Sequence, residues 1–348
     1  MFRLKKRTSK TKVEEVTDCF VSEIYERPLI DLGSTGNEQL NGILSPRYDD
    51  AVVGKYLQSQ FTKSAQVYID KYQHVEHFTN LISTAFRKIR FCAQGELTVL
   101  DIGSGAGNTI FPLLTMCPDA RVIASDLSVE MLVSLKEGMQ QFTIDQNTEY
   151  NCFLLQLNAE QLDFAEESFD LVMGGAILHH MVSPEKTLRG CAKVLKQGGY
   201  AIFFEPFEEG SIILRNAYNV ILNDSREGTV SPEIKSLFQA LIVDYDARMV
   251  RDKSLPRWGR LDDKWFFNKR FFTALSDQYG FSECIIYPLH KTERQFELQT
   301  EVYLRLGRGK TRDALPEWAW EIIRQYDQCF SEETKKDLLI EGCLILKK

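Results

Sequence analysis

The most constraining stretch of this 348-residue chain is Val99-Leu100-Asp101-Ile102-Gly103-Ser104-Gly105-Ala106-Gly107-Asn108-Thr109. A short apolar run gives way at once to glycines at alternate positions, and a helical pattern follows to Met116. Glycine lets the backbone turn tightly and lets a ligand approach it with no Cβ in the way. A strand that runs through such a turn into a helix opens a layered α/β arrangement rather than a helical bundle or a β-sandwich.

The flanking sequence repeats that alternation. Arg121–Ser125, Phe153–Leu157, Phe169–Met173 and Tyr200–Phe204 read as further strands, and VEMLVSLKEGMQQF reads as a helix after the second. Another helix is expected with Ser183 as its cap, Pro184 in its first turn and Gly198-Gly199 at its end. Apolar strands separated by helices predict a mostly parallel sheet covered on both faces. The pattern stops after Pro206 and resumes with helix Phe266–Tyr279, strand Cys284–Tyr287 and a closing strand Cys343–Leu346. The interruptions at 207–265 and 291–340 are read as one additional region beside the sheet. Ahead of the glycine turn, residues 28–50 read as a long loop. Val52, Val53, Tyr56, Leu57 and Phe61, and the apolar positions out to Phe86, recur at helical spacing.

Three details narrow the ligand of the glycine turn. Position 108 is Asn, so the last glycine of a dinucleotide GxGxxG is missing. Asp101 stands two residues before the first glycine, where a carboxylate disfavours pyrophosphate and suits an ammonium group. Asp126 ends the next strand, near the spacing of about 20 residues expected of a ribose-binding acid. A nucleoside with a cationic, phosphate-free tail satisfies all three, and S-adenosylmethionine is such a molecule.

On these residues the chain resembles the class I S-adenosylmethionine-dependent methyltransferases. VLDIGSGAGNT looks like their first motif, ASDLSVEML their second, LNAEQLDFAEESFDLVMGGAILHHM the third and fourth regions, and LRGCAKVLKQGGYAIFFEP the helix and strand beyond. The resemblance implies a Rossmann-like, mostly parallel seven-stranded sheet with helices on both faces, the last strand antiparallel and inserted beside the sixth. It also implies a helical cap built from N-terminal helices and two insertions. The corresponding division is a tail and loop at 1–45, an N-terminal cap segment at 46–92, a cofactor-binding core at 93–206 and a cap insertion at 207–265. A core return at 266–290, a second insertion at 291–340 and a final core strand at 341–348 complete it. The cofactor-binding set it implies is Asp101, Gly103, Ser104, Gly105, Gly107, Asp126, Leu127, Met131, Asn158, Ala159 and Gly174. Asp126 would hold the ribose hydroxyls and Leu127 would lie beside the adenine. Asn158 stands where the family usually has Asp, and its amide oxygen can still accept from the adenine amino group.

The implied reaction is methyl transfer from S-adenosylmethionine, leaving S-adenosylhomocysteine, to oxygen or nitrogen of a small-molecule acceptor such as a specialised metabolite or a sugar-containing intermediate. A protein acceptor, or a non-catalytic S-adenosylmethionine-binding module, are the alternatives. His180, His179 and Glu205 are the candidate catalytic groups, His180 as base; an LHH-like run is also frequent in the family whatever the substrate, and Glu205 would equally bond backbone groups. Trp258, Trp265, Phe266, Phe267, Phe271 and Phe272 either wall an acceptor pocket or pack an insertion onto the sheet. Arg251, Arg257, Arg260, Lys264, Lys269 and Arg270 suit an anionic acceptor or a solvated face. His74 and His77 share a helix face with no third ligand spaced nearby, so no metal is expected.

Charge and composition exclude other classes. A net charge of −7 gives no global field for nucleic acid, and no Asn/Asp-Pro-Pro-Tyr/Phe motif follows the fourth strand. No apolar run approaches the roughly 18–20 residues of a membrane span, and the basic start, MFRLKKRTSKTKVEE, lacks an apolar signal core. The eight cysteines are scattered without a CxxC pair, which predicts reduced thiols and a cytoplasmic location.

Overall fold

A computed structural model describes residues 15–17, 19–48, 66, 69–70, 73–92, 95–224 and 230–348. The basic start at 1–14 and the helical spacing from Val52 to Phe61 lie outside the described residues.

Nine strands form one sheet among the described residues. In chain order they are β1 Ile30–Asp31, β2 Ile43–Ser45, β3 Thr98–Ile102, β4 Arg121–Asp126 and β5 Cys152–Gln156, then β6 Phe169–Gly175, β7 Leu195–Pro206, β8 Glu283–Pro288 and β9 Glu341–Lys347. They lie side by side as β1-β2-β5-β4-β3-β6-β7-β9-β8. From β5 to β7 every pairing is parallel, and β9 runs antiparallel between β7 and β8. The seven strands from β3 onward carry the expected topology, including the inserted last strand.

The sheet is wider than expected because residues 28–50 are not a plain loop. Ile43 and Leu44 of β2 pair in parallel with Leu154 and Leu155, and β1 adds antiparallel to β2. Ile43 is fully buried, so this short apolar pair covers an edge that would otherwise face water. The helix after β6 also ends earlier than its glycines suggest. It spans Pro184–Val194, and Leu195 is already extended and paired with Phe169. Pro184 sits in its first turn, but the Ser183 side chain makes no capping bond. Gly198, with φ of +79°, turns inside the irregular start of β7.

Alternation along the strands sorts side chains to two cores. Leu100, Ile102, Ile123 and Phe203 pack with Leu188 and Phe272 on one face, while Val99, Val122, Leu171 and Ile202 pack with Ile82, Leu113 and Leu132 on the other. By the same period Asp101 points to the side of Val99.

The two insertions share a third core. Helices Glu208–Leu222 and Pro232–Arg248 from the first, and Gln295–Arg308 and Glu317–Cys329 from the second, bury Tyr218, Phe238, Phe296 and Trp320 together. Tyr218 stacks on Phe238 at 4.2 Å, and its hydroxyl meets Thr300 Oγ1 at 3.0 Å. Trp320 donates from Nε1 to the Arg312 carbonyl at 3.0 Å while the Arg312 guanidinium lies over its ring at 4.2 Å.

The interleaving of helices from both insertions around Trp320 generates the first prediction. Trp320→Ala should lower unfolding stability by about 3–5 kcal/mol in urea titration, the usual cost of deleting a buried aromatic ring. A loss under about 1 kcal/mol would show that the helices are held without this core.

Candidate functional site

β3 sits where the strand order reverses, with β4 and β5 to one side and β6 and β7 to the other. In open α/β sheets the crevice at the carboxyl ends of the strands at such a point receives ligands. The glycine turn lies there. Gly103, Gly105 and Gly107 all have positive φ. A Cβ on Gly103 would come within 2.4 Å of Ile177, so this position needs glycine for space as well as for conformation. The turn is tied to β4: Ser104 N–H donates to the Ser125 carbonyl at 2.8 Å and Gly105 N–H to Asp126 Oδ2 at 3.0 Å.

One cavity opens against this turn. Of the sequence-predicted cofactor residues, Gly103, Ser104, Gly105, Asp126, Leu127, Met131, Asn158 and Ala159 line it. Asp101, Gly107 and Gly174 do not. Asp101 is fully buried beneath the turn, where Oδ2 accepts from the Thr109 hydroxyl at 2.8 Å and Oδ1 is buried without a partner. Burial pushes its carboxyl up to about 7. Gly107 makes room for Phe111, and Gly174 for Ile177 and Phe203, so both serve packing.

Asp126 is held from two sides. Besides the bond from Gly105, its Oδ1 accepts from Ser128 N–H at 2.9 Å. Burial, opposed by these bonds, leaves its carboxyl at about 6. Ser128 then caps helix Val129–Gln146 by accepting from Met131 N–H at 3.2 Å, which places Met131 on the cavity wall. Asn158 Oδ1 accepts from Glu160 N–H at 3.0 Å, and Asn158 N–H donates to Tyr48 Oη at 2.9 Å. The amide oxygen therefore already holds one bond and has a second lone pair.

Sequence reasoning missed several wall residues. Gly175, Ala176, Ile177 and Met181 line the cavity from the segment after β6, and Ile69 and Gln73 from the segment before helix Val75–Ile89. Gln73 Nε2 donates to the Ala106 carbonyl at 3.1 Å, and His74 N–H to Asn108 Oδ1 at 2.8 Å. The first group follows a strand end and was open to inference; the second reaches the site through a long-range contact that no local pattern marks.

The histidines divide. His180 lines the cavity, whereas His179 and Glu205 lie behind it. Glu205 is 2% exposed and is a bracket, not a group facing a ligand. Its Oε1 accepts from Ile177 and Leu178 N–H at 3.0 and 2.8 Å, and its Oε2 from His179 N–H at 3.2 Å. The same Oε2 meets His179 Nδ1 at 2.7 Å. This holds the turn containing Ala176, whose φ of +55° costs a non-glycine residue about 1–2 kcal/mol. Burial opposes protonation of His179, but Glu205 and Asp263 outweigh it and raise its pKa to about 9. His180 shifts the other way, to about 3, through burial and the neighbouring His179. Its Nδ1 lies 3.1 Å from the Asp262 carbonyl and 3.2 Å from Asp263 Oδ1.

The aromatic cluster is packing. Trp258 is 2% exposed and donates to the Lys264 carbonyl, Trp265 donates to the Met181 carbonyl at 2.9 Å, and Phe267 and Phe272 belong to the sheet core. None of the six lines the cavity, and neither do Arg251, Arg257, Arg260, Lys264, Lys269 or Arg270. The insertion instead touches the site through residues 262–265: Lys264 and Trp265 N–H both donate to the His179 carbonyl, at 2.7 and 3.2 Å.

Residues 100–203 match the family model described as a methyltransferase domain. The match is to a methyltransferase domain and covers the stretch from β3 to β7 that carries the glycine turn. It is 33% identical over 109 residues to the ubiquinone/menaquinone biosynthesis C-methyltransferase UbiE of Enterobacter sp. (strain 638), covering 31% of this chain and 42% of that protein. It is 27% identical over 206 residues to the uncharacterised methyltransferase YcgJ of Bacillus subtilis, covering 58% of this chain and 74% of that one. The match thus spans less than half of the first relative's length. Among solved structures, a Haemonchus contortus phosphoethanolamine N-methyltransferase aligns at TM-score 0.48 and 13% identity, over 83% of this chain and 58% of that one. All eight cysteines are free thiols, and no helix among the described residues is long and apolar enough to cross a membrane.

Glu205 provides the site's own test. Glu205→Gln puts an amide among groups that all present hydrogens to Oε1 and Oε2, and removes the charge facing His179. Urea unfolding should show a loss of about 3–5 kcal/mol, as for a broken buried pair. A variant as stable as the parent would refute the bracket role.

Proposed function

We infer that the chain is an S-adenosylmethionine-dependent methyltransferase that acts on oxygen or nitrogen of a small molecule. One observation carries the cofactor assignment. Among the described residues, the cavity wall contains two carboxylates, Asp126 and Glu160, and no lysine or arginine. A pyrophosphate would meet that wall at a cost, whereas a sulfonium nucleoside with an ammonium tail suits it.

In this reading the ribose hydroxyls donate to Asp126, the adenine lies between Leu127 and Ala159, and Asn158 accepts from the adenine amino group with its remaining lone pair. Methyl transfer is an in-line displacement at carbon with an activated leaving group, so alignment and exclusion of water do most of the work. Alignment of this kind lowers a barrier by about 7–11 kcal/mol. Burial and the neighbouring His179 disfavour protonation of His180. It therefore orients the acceptor and does not remove its proton. Glu205 and His179 act behind it as positioning residues.

A carbon acceptor is the second reading, favoured by the identity to a quinone C-methyltransferase over the cofactor domain. Product analysis with candidate phenols, amines and quinols separates the two by the atom that gains the methyl group.

Calorimetry should show S-adenosylmethionine and S-adenosylhomocysteine binding more tightly than NAD; tighter NAD binding would sink the assignment. Asp126→Asn should weaken S-adenosylhomocysteine at least ~tenfold, since charged hydrogen bonds contribute about 1.5–3 kcal/mol. The carboxylate is the accepting form, so parental affinity should fall as pH drops through about 6, and this fall should vanish in the variant. His180→Ala should reduce kcat by far less than the roughly 10²–10⁴ that a general base supplies. A loss in that range with a flattened acid limb would instead make His180 the base.

A further inference from the structure

We propose that His179, His180 and Asp263 form a binding site for one divalent transition-metal ion of the zinc class at the rim of the cofactor cavity. Nε2 of His179, Nδ1 of His180 and Oδ1 of Asp263 lie within 4.8 Å of one another. Asp263 Oδ1 is 3.6 Å from the first and 3.2 Å from the second, and the ion would displace the hydrogen that His180 Nδ1 shares with the Asp262 carbonyl at 3.1 Å. Ligands about 2.0–2.1 Å from a tetrahedral ion are spaced by about 3.3 Å, so the set matches without large movement. Two imidazoles and a carboxylate are a donor set for zinc or its neighbours, not for magnesium or calcium.

The surroundings support a cation. Glu205 Oε2 is 2.7 Å from His179 Nδ1, which turns Nε2 toward Asp263. A carboxylate behind a histidine is how protein metal sites fix the ring and raise its basicity. Arg248 approaches the other oxygen of Asp263, Oδ2, at 3.5 Å and leaves Oδ1 to the site. Lys264 turns its ammonium away, to the Leu261 carbonyl at 2.7 Å. Acids outnumber fixed cations here: Asp244, Asp262, Asp263 and Glu205 stand against Arg248 and Lys264. Asp262 Oδ1 is moreover buried without a partner, one residue from the proposed ligand.

The ligands come from two parts of the chain. His179 and His180 follow β6, and Asp263 belongs to the first insertion. An ion would therefore fasten the insertion to the cofactor domain beside His180, where its remaining coordination position borders the cavity and suits an oxygen donor. Binding of the ion itself does not depend on methyl transfer. Its use as an acceptor-oxygen clamp rests on the reading above.

The test uses the full chain, stripped with chelator and titrated with Co²⁺ and Zn²⁺ in the absence of cofactor. One equivalent should bind, Co²⁺ should give visible d–d bands, and X-ray absorption should show two imidazole ligands. Asp263→Asn, with folding checked by circular dichroism, should weaken binding by about 10–100-fold or more. His74→Ala, at the N-cap of helix Val75–Ile89, should leave it unchanged. Absence of saturable binding, or unchanged binding in Asp263→Asn, overturns the site and means that the three side chains share protons only. Should that variant fail to fold, the ligand count from X-ray absorption of the parent decides. Because these readouts need no acceptor, failure here leaves the methyltransferase reading standing. Loss of methyl transfer with metal retained would count against that reading alone.

Discussion

The cavity at the glycine turn depends on one buried carboxylate. Glu205, at the end of β7, receives the backbone hydrogens of Ile177, Leu178 and His179 and faces the His179 ring. Removing a charge from water is expensive unless every lone pair finds a donor. Here it does, and the segment 176–180 is fixed as a result. That segment supplies one wall of the cavity, sets Ile177 against Gly103, and fixes His180 at the rim. The left-handed Ala176 persists because the bracket over-determines it.

The same bracket links chemistry to the added helices. His179 stands between Glu205 and Asp263, and its carbonyl accepts from Lys264 and Trp265. The insertion therefore meets the site through a short polar strap, while its apolar residues pack among themselves or onto the sheet. The mass of the two insertions lies around Trp320 and Tyr218, neither of which lines the cavity. Aromatic richness in the insertion reflects the need to bury four helices, which demands large side chains whether or not a ligand is near.

The acids around the site behave differently according to their partners. Asp101 and Asp126 have few donors relative to their burial, and both are raised. Asp263 faces two imidazoles and a guanidinium, and is lowered. The cavity wall thus carries Asp126 with spare accepting capacity, while at the rim Asp263 faces imidazoles and a guanidinium.

The alternating order of strands and helices, the glycine turn and the acid ending the next strand were legible in the sequence, because each rests on a local rule: period-two burial, positive φ, and the fixed length of a strand–helix unit. The inserted final strand came from the resemblance, and the structure carries it. Local rules also misled. Gly198-Gly199 marked a helix end that lies four residues earlier, since pairing of Leu195 with Phe169 overrode the turn signal. Residues 28–50 read as loop because two and three apolar residues are too few to show a period. The sheet edge beside β5 made them strands. Which glycines and which histidine line the cavity, and that Glu205 serves the backbone, were decided by tertiary structure alone. These depend on side chains meeting from β6, β7 and an insertion some 80 residues apart in sequence, as Asp262 meets His180. Sequence spacing carries no record of such a meeting.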